Sequence, residues 1–315
     1  MSDTATFSVH VDVTNPGQFF ACCGLLEVAH RLWPGAEGRF AEDERFVLST
    51  SCPEATANVE QALIEALRRL QFTSLSDQER AERETLEREQ RELKRQGKSL
   101  PEEKEKRRKQ LGVQARGGSL HLESHHHVGR AFHLLLDWWQ REDGAVPKTW
   151  AGLQEIHKVA RAAQDALAEV ERTTSMLDHD CVLRVPAEYR KRATDGGKAV
   201  EPFYFDARRF AHALDAGFSL DAIGAETAAH PAVELLALIG LQRFRPIVTP
   251  SKEPKVKAVV EYCTWPQPIG VAVAAAAACR AMPGPGHRRY RFKILARDDQ
   301  KRYGAFGWAG AIGEH

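Results

Sequence analysis

The sequence predicts a mixed α+β fold, with a strand–turn–helix N-terminal core, a charged helical-hairpin insertion and a helix-rich C-terminal half. Three observations predict it. Apolar and polar residues alternate in Phe7–Val13, apolar residues follow helical spacing in Gln18–Trp33, and the composition becomes strongly charged after Ser74. We therefore divide the chain into an N-terminal α/β core at 1–73 and 114–200, a helical hairpin at 74–113 and a C-terminal helix/strand region at 201–315.

The N-terminal core begins with a strand and a helix that are joined by a turn. The apolar face of Phe7–Val13 indicates a half-buried strand, and Thr14–Gly17 combines Asn, Pro and Gly, which favour turns. Gln18–Trp33 carries the broad apolar stripe of a helix that packs on a core, and Pro34-Gly35 ends it. A second strand is predicted at Phe46–Leu48 and a second helix at Thr56–Phe72.

The hairpin insertion consists almost entirely of charged residues and strong helix formers. Gly97–Pro101 interrupts the run, so we expect two helical arms that project from the body and have little core of their own. The first arm, Asp77–Glu87, contains five acidic and two basic residues, whereas Arg88–Arg116 contains eleven basic and five acidic residues. The second arm is therefore predicted to present a basic face.

The elements after the hairpin follow from shorter apolar patterns. Strands are predicted at Leu120–Glu123, Cys181–Val185, Val256–Trp265 and, as the last strand, Tyr290–Leu295. Helices are predicted at Trp150–Val170, Arg208–Ala216, Pro231–Phe244 and Ile269–Met282. Pro231–Phe244 has little polar surface, so we expect it to be a buried helix.

Length and composition favour a cytoplasmic globular protein. The chain has 315 residues, of which 43% are hydrophobic, enough for one large domain or two ordinary ones. No apolar run reaches the ~18 residues that span a bilayer, and the N-terminus lacks the basic start and apolar core of a signal peptide. We therefore expect no membrane contact. In the cytoplasm the six cysteines are expected to stay reduced.

The sequence offers little support for an enzyme. It contains no GxSxG, GxxxxGK[S/T] or GxGxxG motif, so no cofactor or nucleophilic serine is indicated. His125–His127 suggests a metal because histidine is a common ligand, but only Glu123 and Asp137 accompany it and adjacent histidines point in different directions. We expect a loop or strand end without metal, with contact to phosphate or to a partner protein as an intermediate interpretation. A metal-dependent nuclease that uses His125–His127 is a minor alternative.

Basic clusters favour nucleic acid more strongly, although the net charge is only +1. The first lies on the second arm and the second in a proline-rich loop after the buried helix. The third follows Pro283–Gly286 and continues near the C-terminus. Basic side chains on loops suit phosphate contacts, and the neighbouring Tyr290 and Tyr303 are candidates for stacking on bases. The candidate contacts in the three clusters are Arg107, Arg108 and Lys109; Arg243, Arg245, Lys252, Lys255 and Lys257; and Arg288, Arg289, Lys301 and Arg302.

Four stretches resemble a known family. They are Asn15–Glu27 (NPGQFFACCGLLE), His230–Pro246 (HPAVELLALIGLQRFRP), Trp265–Pro268 (WPQP) and Arg302–Gly307 (RYGAFG). Together they resemble type I-U, also called type I-G, CRISPR-associated proteins of the Csb and Csx groups. The resemblance covers both ends of the chain, whereas Ser74–Val113 matches nothing in the family. The shared motifs are structural rather than catalytic.

Proteins of this group resemble the large subunit of Cascade-type surveillance complexes. The resemblance implies a non-catalytic subunit that joins a guide RNA, backbone subunits and a guide-end capping subunit. It also implies contact with target-flanking (PAM) DNA, help in duplex opening and transient recruitment of a helicase-nuclease, while base pairing supplies sequence specificity. Under this interpretation the amides of Asn15 and Gln18 are candidates for contacts with base edges. The alternative is an assembly scaffold of the same complex that contacts only protein.

Overall fold

The computed structural model describes residues 5–51, 59–117, 120–124, 129–140, 147–150, 154–167, 175–187, 197–209, 226, 228–282, 284–297, 300 and 303–313. Within these ranges the chain forms seven α-helices and fourteen strands. The mixed α+β class predicted from the sequence is confirmed. The described part of 201–315 contains seven strands and two α-helices.

An antiparallel sheet near the N-terminus contains a strand from the far end of the chain. Its order is β1 (Ala5–His10), β3 (Arg45–Thr50), β2 (Glu37–Phe40) and β11 (Ile269–Gly270). Phe7 and Val9 of β1 are buried, as the alternating pattern predicts. Ile269 pairs with Gly38 and Gly270 with Glu37, so this sheet already joins the N-terminal and C-terminal regions.

Two apolar helices form the centre of the molecule. They are α1 (Pro16–Leu32) and α6 (Pro231–Arg243), and nearly every residue of both is buried. They cross closely because each has a glycine at the contact. A Cβ atom on Gly24 would lie 2.0 Å from the Leu236 carbonyl oxygen, and one on Gly240 would lie 2.2 Å from that of Phe20.

A second antiparallel sheet packs on these helices. Its order is β13 (Gly304–Phe306), β12 (Arg288–Ala296), β10 (Val256–Thr264) and β9 (Ile247–Pro250), and β14 (Gly310–Ile312) also pairs with β12. α7 (Val271–Ala278) follows β11 and contacts β10. The inner face of the sheet is aromatic: the ring of Tyr262 stacks 4.2 Å from that of Phe19 in α1. β12 was predicted as the last strand, but β13 and β14 follow it.

The charged insertion is a helical hairpin, as predicted. α3 (Asp77–Arg95) and α4 (Glu102–Gly117) are its arms. It emerges between β4 (Gln71–Thr73) and β5 (Leu120–Ser124), which are hydrogen-bonded neighbours in a small sheet completed by β6 (Phe132–Leu136). The arms have a small core of their own, which contains Leu75, Leu86, Leu111 and Ala115.

Four elements remain. α2 (Val59–Arg69) contacts β1 and α5 (Ile156–Ala166), and α5 also contacts β4 of the small sheet. β7 (Cys181–Val182) pairs with β8 (Ala228–Ala229). Across the described ranges, no helix is both long and apolar enough to cross a bilayer. No disulfide joins the cysteines in those ranges, which are Cys22, Cys23, Cys181, Cys263 and Cys279.

Candidate nucleic-acid interface

Asn15 and Gln18, predicted as contacts for base edges, are buried. Asn15 is the N-cap of α1, where its Oδ1 accepts from Gly17 N at 3.1 Å and its Nδ2 donates to Asp206 Oδ1 at 2.7 Å. Gln18 Oε1 accepts from Asp12 N at 2.7 Å, and only 3% of the residue is exposed. Both amides therefore satisfy buried groups of the chain itself and do not face solvent in this structure, which disfavours them as contacts for base edges.

Asn15 belongs to a buried polar network that sequence reasoning missed. Asp206, fully buried, receives the Asn15 amide, His230 Nδ1 at 2.7 Å and the Arg208 guanidinium at 2.8 Å. Burial alone would raise the pKa of Asp206, but these donors outweigh it and hold that pKa well below its usual range. The network ties the starts of α1 and α6 to the segment 203–209, so its role is to join elements.

Glu234 lies beside this network and is also fully buried. It accepts from the backbone amides of Phe205 and Asp206 at 3.4 and 3.3 Å. Burial, and secondarily the charge of Asp206, raise the pKa of Glu234 to about 8. One carboxyl is therefore ionised and the other protonated near neutral pH, a pairing that also occurs in acid–base enzymes. Here both residues are fully buried.

The basic cluster of the hairpin is largely neutralised by ion pairs. Arg107 Nη2 lies 2.8 Å from Glu82 across the two arms, and Arg108 Nη2 lies 2.8 Å from Glu105. Lys109, 70% exposed at its side chain, is 3.6 Å from the same Glu105. Of the three cations, Arg107 pairs with the other arm, whereas Arg108 and Lys109 pair with a glutamate of their own helix. These ion pairs make the cluster a weaker candidate for phosphate contacts than its charge alone suggests.

The second basic cluster has two parts: its arginines face the body of the protein, and its lysines lie in or just after an exposed turn. Arg243 Nε lies 2.6 Å from the buried Glu27 of α1, and Arg245 lies 4.0 Å from Asp137, so both face the body of the protein. Lys252 and Lys255 lie in the exposed turn between β9 and β10, and Lys257 follows them on β10. Lys255 has φ +57°, a left-handed conformation uncommon for a residue with a side chain.

The structure collects basic residues on the outer face of the second sheet. Because side chains alternate along a strand, Arg289, Arg291 and Lys293 of β12 point outward, while Tyr290 and Phe292 point into the core. The burial of Tyr290 removes it as a candidate for base stacking. Arg288, at the start of β12, is exposed. We call the outward group the basic sheet face; its members are Lys257, Arg280, Arg289, Arg291 and Lys293.

Three arginines of this face converge on one carboxylate. Glu261 of β10 lies 2.7 Å from Arg280, 3.4 Å from Arg289 and 2.6 Å from Arg291. Burial tends to raise the pKa of Glu261, but the arginines outweigh it and hold that pKa below its usual value. One negative charge cannot neutralise three guanidinium groups. The cluster therefore has excess positive charge, and its guanidinium groups are held in place by a shared partner.

An exposed tryptophan lies next to this cluster. Trp308 is 53% exposed, whereas its neighbours Phe306 and Ala309 are buried. It lies in the connection between β13 and β14: Gly307 N donates to Lys293 O at 3.0 Å, and Gly310 pairs with Arg291. Sequence reasoning missed Trp308, because a lone aromatic in a Gly- and Ala-rich segment predicts core packing as readily as exposure.

Several predicted residues lie outside the described part of the chain. These are Lys301, Arg302 and the histidine run His125–His127. Among the residues that the structure describes, no group of three or more His, Cys, Asp or Glu side chains has the arrangement of a metal site. The nuclease alternative thus gains no support from the described histidines; His133, for instance, is 53% exposed and lies 4.0 Å from Glu123.

A cleft of about 500 Å³ separates the hairpin from the body and contains a serine–histidine contact. Ser74 Oγ lies 3.2 Å from His157 Nδ1, and Glu155 lies 3.6 Å from His157 Nε2. In hydrolase triads the carboxylate bonds Nδ1 and the serine bonds Nε2, so the two nitrogens are exchanged here. Burial lowers the pKa of His157 to about 4, which makes it a weak base. The contact joins Ser74, just before the hairpin, to His157 of α5.

Comparison with known proteins adds no relative. No protein-family model, curated protein sequence or solved structure matches the chain.

Proposed function

We propose that this protein is a non-catalytic, nucleic-acid-handling subunit of a type I CRISPR surveillance complex and resembles its large subunit. In this role it binds guide RNA or target DNA in the cytoplasm, beside backbone and guide-end capping subunits. It contacts the DNA that flanks the target, aids duplex opening and helps to recruit a helicase-nuclease. Sequence specificity then comes mainly from base pairing. The four motif stretches that resemble type I-U/I-G proteins support the assignment to this kind of complex.

The observation that carries the nucleic-acid part of the proposal is the basic sheet face. Arg291 and Lys293 are each at least half exposed at the side chain, and Arg280 is 37% exposed. Lys252 and Lys255 extend the positive surface beside the start of β10. Cations on a rigid sheet suit contacts with phosphates, which contribute most of the affinity for nucleic acid.

The test is a comparison of two triple alanine variants that remove the same charge. Replacing Lys252, Lys255 and Lys257 by alanine should weaken target-DNA binding by the assembled complex and reduce the slope of log affinity against log salt by about 2–3. Replacing Lys104, Lys106 and Lys109 of the hairpin should change that slope by less than about 1. The measurement is electrophoretic mobility of target DNA at four salt concentrations.

The outcomes separate the proposal from its alternative. An equal slope for wild type and the Lys252/Lys255/Lys257 variant contradicts the assignment of this surface. A protein-only scaffold would co-assemble with the other subunits, yet the mobility of target DNA would be the same with and without it. That result would favour the scaffold alternative. Failure to co-purify with guide RNA and the other subunits contradicts membership of the complex.

A further inference from the structure

We propose that the basic sheet face, together with Trp308, binds a single-stranded nucleic-acid segment in preference to a duplex. This inference rests on the proposed function and names the class of ligand that the face accepts. A base stacks on the exposed indole of Trp308, and the neighbouring phosphates contact Arg291 and Lys293. The ligand is a single strand of DNA or RNA, because both offer unstacked bases linked by phosphates.

The placement of Trp308 is the first step. Its indole is the largest side chain among the exposed hydrophobic residues described, and it is 53% exposed although Phe306, two residues earlier, and Ala309, the next residue, are in the core. Backbone contacts fix its position beside β12, because Gly307 N donates to Lys293 O and Gly310 pairs with Arg291. The backbone that carries the exposed indole is therefore held beside the strand that carries Arg291 and Lys293.

The arginine cluster is the second step. Glu261 accepts from Arg280, Arg289 and Arg291 on one side of their guanidinium groups. A guanidinium has five N–H donors in a planar fork, so a carboxylate on one edge leaves donors for a second acceptor. Three groups that are pre-positioned in this way have excess charge and little freedom to lose, which favours phosphate binding.

Trp308 and the arginine cluster together distinguish a single strand from a duplex. Phosphate contacts alone would accept duplex and single strand alike, whereas an aromatic platform needs an unstacked base whose flat face is free. In a duplex the base faces are occupied by stacking within the helix. The exposed indole of Trp308 beside the basic sheet face should therefore add to the affinity for a single strand and add little to the affinity for a duplex.

Fluorescence anisotropy with the purified full chain tests the inference. The probes are 15-nucleotide oligo(dT), oligo(rU) and a 15-base-pair DNA duplex, at low salt. Wild type should bind at least one single strand several-fold more tightly than the duplex. Trp308→Leu should weaken single-strand binding about 5- to 150-fold, the range expected for one lost base stack, and Trp308→Phe should keep most of the affinity. Duplex binding should change less than 2-fold in both variants.

Controls make the result specific. Val113→Ala alters another exposed apolar residue, 62% exposed on α4, and should leave all probes unaffected. Arg291→Ala should weaken single-strand and duplex binding together, whereas Arg69→Ala removes a similarly exposed, ion-paired arginine of α2 and should weaken neither. The DNA and RNA arms identify which strand is preferred.

The possible failures are distinguishable. If wild type binds duplex as tightly as single strand, or if Trp308→Leu leaves single-strand affinity within 2-fold, the inference is wrong while the proposed function stands. If wild type binds none of the probes, both the inference and the nucleic-acid part of the proposed function are wrong.

Discussion

Glu234 and Asp206 are buried side by side, and their environments move their pKa values in opposite directions. Asp206 is surrounded by donors and stays ionised, whereas Glu234 has only backbone amides and the nearby negative charge, so its pKa rises to about 8. A carboxyl whose pKa is higher in the folded protein than in the unfolded chain stabilises the fold fully below the unfolded value of 4.5. That stabilisation is lost as pH rises from 4.5 to about 8.

Glu234→Gln should remove this pH dependence, because the amide resembles the protonated acid and cannot ionise. The free energy of unfolding of the variant minus that of wild type should be about 1–4 kcal/mol larger at pH 8 than at pH 5. Urea unfolding at the two pH values measures it. Loss of a backbone hydrogen bond to Glu234 would lower the free energy of unfolding equally at pH 5 and at pH 8. His157 titrates in both wild type and the variant. Neither effect therefore changes the pH-dependent difference between the two proteins.

Glu253→Gln is the matched control for this residue. Its carboxylate is 53% exposed and pairs with Lys293 at the surface, so the same substitution should leave the pH dependence close to that of wild type. A difference between Glu234→Gln and wild type that stays constant from pH 5 to pH 8 would contradict the raised pKa of Glu234.

At the scale of elements, the contact between α1 and α6 depends on two glycines. A methyl group on Gly24 has no space, because the backbone carbonyl oxygen of Leu236 in α6 would lie 2.0 Å from it and cannot move independently of its helix. Gly24→Ala should therefore lower the free energy of unfolding by about 1–3 kcal/mol. Chemical denaturation monitored by tryptophan fluorescence measures the change.

Gly112→Ala is the control for helix glycines. Gly112 lies inside α4, and a Cβ atom there would meet no atom within 4 Å. The substitution should be neutral or should stabilise the protein by about 0.5–1 kcal/mol, since alanine favours helices. Equal effects at Gly24 and Gly112 would show that helix propensity, and not the close contact, determines the outcome.

Long, strongly patterned elements could be predicted from the sequence, and short ones could not. α1, α6 and the hairpin follow directly from apolar spacing or charge, because those signals extend over three or more turns. β2, β11, β13 and β14 have two to four residues each, which is too few for a period to show. Their pairing, and not their composition, makes them strands.

The candidate site illustrates the same limit. Arg289 belonged to a predicted basic cluster, but its partner Glu261 lies on β10, and Arg280, which pairs with the same Glu261, follows α7, so only the fold brings them together. Asn15 stands in a turn-like sequence, yet Asp206 makes it a buried cap. Local sequence describes residue chemistry well, whereas long-range pairing decides which side chains reach solvent.

At the scale of the whole molecule, the hairpin is an insertion into an otherwise continuous structure. Thr73 of β4 pairs with His121 of β5, so the two ends of the insertion are adjacent strands. The predicted division into an N-terminal core and a C-terminal region stays a prediction, while β11, α6 and Asp206 all contact the N-terminal elements.

Replacing residues 75–119 by a short turn should therefore leave a folded body. We expect one cooperative thermal transition, lower than that of wild type by several degrees because the contacts with α5 are lost. Single-strand binding should stay within 2-fold, since the basic sheet face belongs to other elements. Differential scanning calorimetry and the same anisotropy probes measure both; a loss of cooperative unfolding would show that the hairpin is part of the main core.

The close packing of α1 against α6 also has a consequence for synthesis. About 200 residues separate the end of one helix from the start of the other. At roughly 5–20 residues per second, a ribosome needs on the order of 10–40 s to translate that stretch. During this interval the newly made α1 is apolar on nearly all sides and lacks the helix that buries it. We expect the N-terminal third of the nascent chain to be its most aggregation-prone part, and slower translation of the middle of the message to reduce the yield of folded protein.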